Sequence, residues 1–239
     1  RDFSSNVSHE MKTPLQVISG YAELMKNDMV LPEDRQKFAG LIYDEAQAMR
    51  GLINDVLTLS KLDESAFARE ERPIDVTSVA RRMAGRLESF AADEGVSISV
   101  KGGSAHINGS ETLAEEMLYN LIENAVRYNH AGGSVSVRVS QGAPSPDVLE
   151  ALRAAGAEPD PASVVTVRVS DTGAGIPEEM RDKVFERFFR LDKSRSKETG
   201  GTGLGLAIVK HAVQYHHGTI CVEGAQGEGA TFVLRLPAA

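Results

Sequence analysis

His9 stands beside Glu10, and Thr13 and Pro14 follow within the same stretch, Ser8 to Pro14, which reads SHEMKTP. An imidazole next to a carboxylate is a pairing on which acid–base and nucleophilic chemistry draws. Thr13 lies four residues beyond His9, the spacing that puts two side chains on one helical face. Pro14 has no backbone N–H and its ring presses on the carbonyl of residue i−4. That residue is Glu10, so the helix is expected to bend beside the imidazole and leave a carbonyl free.

Four further groups follow in order. Asn120 and Asn124, in NLIENAVRYN, are four apart. Two neutral amide oxygens on one helical face suit magnesium, which binds few protein oxygens and keeps phosphate and water in its shell; a polar helix surface has the same appearance. Asp171-Thr-Gly-Ala-Gly-Ile follows a strand. Its carboxylate is placed to accept from an exocyclic amine such as adenine N6, and Gly173 and Gly175 let the backbone turn and approach a ring closely. An ordinary Asp-Gly turn is the alternative. Phe185 to Arg190 (FERFFR) precedes the basic segment from Lys193 to Gly201. Arg190, Lys193, Arg195 and Lys197 are suited to phosphate oxygens, or to a solvated loop. Gly201-Thr-Gly-Leu-Gly-Leu opens a helix, where backbone amides and the macrodipole favour an anion. Its spacing is neither the dinucleotide fingerprint nor a P-loop.

These groups need elements of two kinds. Phe3, Val7, Met11, Leu15, Ile18, Ala22 and Met25 step by three or four, as do Phe38, Ile42, Met49, Ile53, Val56 and Leu59. Between them NDMVLPED, from Asn27 to Asp34, breaks the pattern. The spacing predicts a helical hairpin whose uncovered stripe pairs with a second copy in a four-helix bundle, or else packs on the rest of its own chain. FAREERP, Phe67 to Pro73, reads as a linker. Beyond it helices are expected over Val76 to Glu94 and Glu111 to Tyr128. Strands are expected over Ser97 to Val100, Ser134 to Val139, Val164 to Val169, Thr219 to Glu223 and Thr231 to Leu236. Strands mixed with helices on one side predict a two-layer α/β sandwich. Gln141 to Ser163 is an inserted loop, with a short helix at its centre over Asp147 to Ala155.

The 239 residues allow one large domain or two modest ones, and 41% hydrophobic with 25% charged residues is an ordinary globular balance. A net charge of −8 disfavours broad binding to nucleic acid or anionic membrane, though local basic clusters are compatible with a small polyanion. The single cysteine, Cys221, excludes an internal disulfide and is expected as a buried strand thiol. No apolar run reaches membrane-spanning length. The sequence opens inside a helical pattern, as expected of a piece of a longer polypeptide.

Taken in order, the His9-Glu10-Pro14 stretch, NLIENAVRYN, DTGAGI, FERFFR and GTGLGL resemble the H, N, G1, F and G2 boxes of sensor histidine kinases of bacterial two-component systems. The resemblance covers nearly the whole chain. It implies an α+β protein: a dimerisation and phosphotransfer hairpin over 1–66 that forms a dimeric four-helix bundle, a linker over 67–75, and a Bergerat-type ATP-binding domain over 76–239 that carries the 141–163 insertion. It further implies ATP and magnesium as cofactors, a homodimer, a response regulator receiver domain as partner and no nucleic acid. The expected place is the cytoplasmic catalytic portion of a membrane-anchored sensor, meeting the membrane only through segments outside this sequence.

The resemblance implies roles residue by residue. His9 looks like the phosphoacceptor, and Glu10 like the acid that hydrogen-bonds one ring nitrogen and raises the basicity of the other. Thr13 matches the position that orients water for dephosphorylating the regulator. Asn124 resembles the magnesium ligand, with Asn120 supporting it, and Arg127 and Tyr128 match positions facing phosphate and nucleotide. Asp171 resembles the adenine-reading acid, with Gly173, Gly175 and Ile176 beside it. Gly201, Thr202, Gly203, Leu204 and Gly205 look like the phosphate end of a lid, Arg190 like a stabiliser of the γ-phosphoryl, and Thr231 like a residue that positions adenine through water. Arg127 stands where lysine is frequent, which keeps charge but changes geometry. Two other readings stay open: a catalytically silent nucleotide-binding dimeric scaffold, and a chaperone- or topoisomerase-like ATPase, which the hairpin bearing His9 disfavours.

Overall fold

The computed structural model describes residues 2–63, 72–158, 163–191 and 201–239. Two long helices, α1 (Asp2–Lys26) and α2 (Arg35–Asp63), form the hairpin. They run antiparallel: Tyr21 meets Phe38 edge-on, rings 5.3 Å apart, while Met11 packs with Leu52, Val56 and Leu59 farther along. Asp28 at φ +52° and a 3₁₀ turn over Pro32–Asp34 reverse the chain, and Arg35 Nη2 reaches Asp28 Oδ1 at 2.8 Å. Pro14 lies within α1 without ending it.

The half-buried residues of α1 are Val7, Glu10, Met11, Pro14, Val17, Ile18, Tyr21, Leu24 and Met25, a stripe stepping by three and four. Pro14 and Tyr21 therefore take the places that the sequence reading gave to Leu15 and Ala22. Steps of three and four both fit a 3.6-residue period, so apolarity alone does not choose between neighbouring flanks. Leu15 stays 50% exposed, and Tyr43, Ile53 and Leu57 of α2 are exposed at 63%, 39% and 53%.

The remaining chain is a sheet layer under a helix layer. β2 (Ser97–Lys101), β4 (Ser134–Gly142), β5 (Val164–Asp171), β7 (Ala230–Pro237) and β6 (Thr219–Gly224) lie in the order β2-β4-β5-β7-β6. β2 and β4 are parallel and every other pair is antiparallel. Strand alternation sends Val135, Val137, Val139, Val165, Val167, Val169, Phe232, Leu234 and Leu236 inward. They meet α3 (Val76–Arg86), α5 (Glu111–Arg127) and α7 (Gly205–Tyr215) through Val79, Met83, Met117, Leu121, Val209 and Val213. The expected two-layer α/β sandwich is the observed one.

Three expectations need correction. Most of the expected linker lies outside the described residues, but its last four form β1 (Arg72–Asp75), paired antiparallel with β3 (His106–Gly109). Ile74 and Ile107 face each other in that ladder and both are buried, so these residues belong to the sheet unit. The helix expected over Val76 to Glu94 breaks at Leu87 (φ −96°, ψ 0°) into α3 and α4 (Glu88–Asp93). Leu87 is itself buried, so the apolar period runs through the break unmarked. Cys221 is half-buried on the outer face of the sheet, with Arg235 Nη1 3.5 Å from its sulfur. The insertion contains α6 (Pro146–Ala154), whose Val148 and Leu152 pack on Val164 from that same outer face.

Candidate active site

His9 is exposed on α1, and Thr13 Oγ1 donates to its carbonyl at 3.5 Å. Successive helical residues diverge by about 100°, so Glu10 turns away from the ring and toward the sheet unit. Its Oε2 accepts from Arg190 Nη2 at 3.4 Å, and Arg190 Nη2 also donates to the Gly201 carbonyl. Glu10 thus has an arginine of the second unit as its partner, where the sequence reading gave it the imidazole.

Asn120 and Asn124 are half-buried, one turn apart on α5. Asn120 Nδ2 donates to the Glu116 carbonyl at 2.8 Å, and its Oδ1 lies under Gly205, where an added Cβ would stand 2.6 Å away. The first turn of α7 therefore rests closely on the amide, and a side chain at 205 would have to displace Asn120 Oδ1. Arg127 is held by Glu123 at 2.8 Å and lies over the Phe90 ring, 5.3 Å from its centroid. Tyr128 is exposed; its carbonyl closes against Gly173 and its hydroxyl approaches Gly201. Glu116 was not singled out by the sequence. Burial pushes its carboxyl above the usual range, against the pull of Arg86 and with the push of Glu115.

Asp171 ends β5. Burial raises its pKa, opposed by backbone N–H donors from Gly173 (2.9 Å) and Ala230 (3.1 Å). Both bonds fall on Oδ1, so Oδ2 keeps acceptor capacity for an incoming amine. Gly175, at φ +70°, lies against the Ala225 and Gly229 carbonyls, and Gly227 N–H donates to the Ala174 carbonyl at 2.7 Å. Two loops thus press backbone to backbone beside Asp171, with Ile176 buried between them and the core. Thr231 is not brought to this carboxylate. Its hydroxyl donates to Ser170 Oγ at 2.9 Å, on the opposite face of the strands. With a side-chain period of two, one residue decides the face, and Ala230 occupies the inward position.

The glycine-rich turn is fixed by contacts to both units. Gly203 has φ +72°, and its carbonyl accepts from Phe188 N–H at 2.8 Å. Thr202 Oγ1 donates to Asp55 Oδ2 of α2 at 2.7 Å and accepts from Leu204 N–H at 3.2 Å. Leu204, Ala207 and Ile208 bury themselves against Leu52 and Leu59 of the hairpin. Leu204, expected beside phosphate, therefore fills an apolar seam. Asp55 carries no signal in sequence, because only the docked unit buries it. Burial pushes its pKa up to about 6, helped by Glu116 and Glu123 and opposed by the Thr202 bond. Lys193, Arg195 and Lys197 lie outside the described residues.

The site combines an acceptor at a strand end, a face of neutral amides, and a glycine turn opening α7. No group of three or more His, Cys, Asp or Glu able to hold a metal occurs among the described residues. A magnesium ion here would take the neutral oxygen of Asn124, leaving its charge for phosphate, and the half-buried amide fits that donor set.

Residues 1–65 match the family described as His Kinase A (phospho-acceptor) domain, and residues 109–239 that described as Histidine kinase-, DNA gyrase B-, and HSP90-like ATPase. The chain is 34% identical to the sensor-like histidine kinase SenX3 of Mycolicibacterium smegmatis, over 99% of this chain and 57% of that protein. It spans about half the length of the curated relatives it matches. Among solved structures, full-length ShkA in complex with AMPPNP is 28% identical (TM-score 0.66) over 98% of this chain and 45% of that one. The fold is shared with histidine kinase ThkA, solved in complex with the response regulator protein TrrA, at 20% identity and TM-score 0.71 over 100% of this chain and 61% of that one.

Proposed function

The chain belongs to the sensor histidine kinases, and on that premise we propose that it phosphorylates His9 from ATP and passes the phosphoryl group to an aspartate of a response regulator. The γ-phosphorus to oxygen bond breaks as a bond forms to a ring nitrogen of His9, and ADP departs. The supporting observation is that Arg190, at the base of the glycine-rich lid, lies 3.4 Å from Glu10, the neighbour of His9. The unit that would hold nucleotide and the imidazole that would receive phosphate are thus within side-chain reach.

Each group has a task in that reading. Asp171 Oδ2 accepts from the adenine amine, in a pocket whose backbone is already committed to Oδ1. Asn124, with Asn120 one turn away on α5, would offer its amide oxygen to a magnesium ion, which would supply positive charge to offset that of the phosphates. Gly201, Gly203 and Gly205 present amides at the start of α7, whose dipole favours the phosphates. Arg190 must leave the Gly201 carbonyl to meet the γ-phosphoryl, and Glu10 is then free to orient the imidazole. Thr13, one turn from His9, is placed to orient water when the regulator is dephosphorylated. The uncovered Leu15, Ile53 and Leu57 are what a second copy would cover in a four-helix bundle. We place the chain as the cytoplasmic catalytic portion of a membrane-anchored sensor; no described helix is long and apolar enough to cross a membrane.

Incubation with γ-labelled ATP and magnesium tests this. Acid-labile, alkali-stable label on the chain, absent in His9→Gln, is expected. Label persisting in His9→Gln overturns the assignment, and nucleotide binding without label favours the silent scaffold.

A further inference from the structure

The outer face of the five-stranded sheet, opposite α3, α5 and α7, carries a line of cations that nucleotide chemistry does not use. Lys101 is in register with Arg138 on β4, and Arg138 with Arg168 on β5. All three alternate with the inward valines, so they stand on the outer face. Arg235 of β7, in register with Thr166 one step along from Arg168, adds a fourth. The strands set one carboxylate among them: Glu223, 2.5 Å from Arg168 and 4.0 Å from Arg235. Lys101 and Arg138 are exposed and make no ion pair among the described residues. The adjoining rung, Ser99, Ser136, Ser170 and Thr231, is made of hydroxyls.

Like charges opposite one another on neighbouring strands destabilise a sheet, so folding does not account for this rung. A local excess of cations on a chain of net charge −8 marks it further. One end of the face already carries a helix. α6 lies across one end of it, with Val148 and Leu152 packed on Val164. Neighbouring strands are about 4.8 Å apart, and carboxylates at i and i+4 on a helix are about 5–6 Å apart. A helix crossing the strands can therefore set one carboxylate over each cation. We propose that the uncovered part of this face, around Lys101, Arg138 and Arg168, docks an acidic helix of a partner protein, laid alongside α6.

The test uses an Ala-based helical peptide with glutamates at i, i+4 and i+8, fluorescently tagged, against the whole chain at low salt. Binding is expected with amide shifts confined to β2, β4 and β5. It should weaken about tenfold or more in the Lys101→Ser, Arg138→Ser double variant, the loss of two charge-assisted contacts. His9 labelling should be unchanged in that variant, and its thermal midpoint equal or higher. Absence of binding overturns the proposal, and so does binding indifferent to the double substitution. Tighter binding of duplex DNA or of anionic phospholipid vesicles, in place of the peptide, overturns the assignment to an acidic helix.

Discussion

The interior of the sheet unit is one continuous apolar cluster running from Ile74 to Leu236, closed by strands on one side and helices on the other. The seam against the hairpin is a patch of five buried side chains among the described residues, Leu52, Leu59, Leu204, Ala207 and Ile208. That patch is flanked by two polar links, Thr202 to Asp55 and Arg190 to Glu10. The interior holds a shape, whereas the seam holds an arrangement. A small apolar patch bordered by an acid of raised pKa is the weaker of the two regions, and the proposed phosphotransfer uses it as the joint between the units.

The largest effect should come from the interior. Leu121, fully buried under the sheet, should cost roughly 2–5 kcal/mol as Leu121→Ala. Urea melts of the whole chain should show an earlier sheet-unit transition while hairpin helicity persists. The seam should answer differently. Leu59→Ala, at the low end of that range at about 2 kcal/mol, should lengthen the distance between spin labels at Asn54 and Lys210. The urea midpoint of the sheet unit should stay put. If both variants lower that midpoint alike, the two regions are one cooperative body and the contrast fails.

Acidity should act on the two regions in opposite senses. Asp55 has an ordinary value of 3.8 when undocked and about 6 when docked, so the docked state binds the proton more tightly. Docking is therefore strongest below about pH 4 and weakens as pH rises through about 6, by up to roughly tenfold to a hundredfold. The same spin-label distance against pH checks this, and Asp55→Asn should flatten it. His216 behaves oppositely. Burial lowers its pKa, while Nδ1 donates to the Ala212 carbonyl and Nε2 accepts from Ser110 N–H. The unfolded chain takes up the proton first, so stability present above pH 6.5 is lost as pH falls below it. Thermal melts of the sheet unit from pH 7.5 downward should fall, and less so in His216→Gln. The smallest effect is local: Asp75 caps α3 through Thr77 and Ser78 N–H, and Asp75→Ala should cost about 1 kcal/mol in the same melts.

What could be read from the sequence follows the same division. Strong alternation in SVSVRV and VVTVRV located β4 and β5, and the step of three or four located α1, α2 and α5. β1 and β3 were not legible, being four residues each, with Pro73 in one and His-Ile-Asn-Gly in the other. Thr231 was misplaced because a motif gives residue order while a strand gives faces, and a single step exchanges them. Leu204 and Asp55 were hidden for another reason. Their surroundings come from a second unit, and no local pattern encodes which face that unit will cover.

The position of β7 between β5 and β6 has a consequence for biosynthesis. The amide that fixes the Asp171 carboxylate belongs to Ala230, the first residue of that strand. During translation the ribosome must therefore release the chain through Ala230 before the Asp171 carboxylate can be fixed for the proposed adenine contact. On the proposed reading, a nascent chain cannot read adenine until β7 has been inserted between β5 and β6.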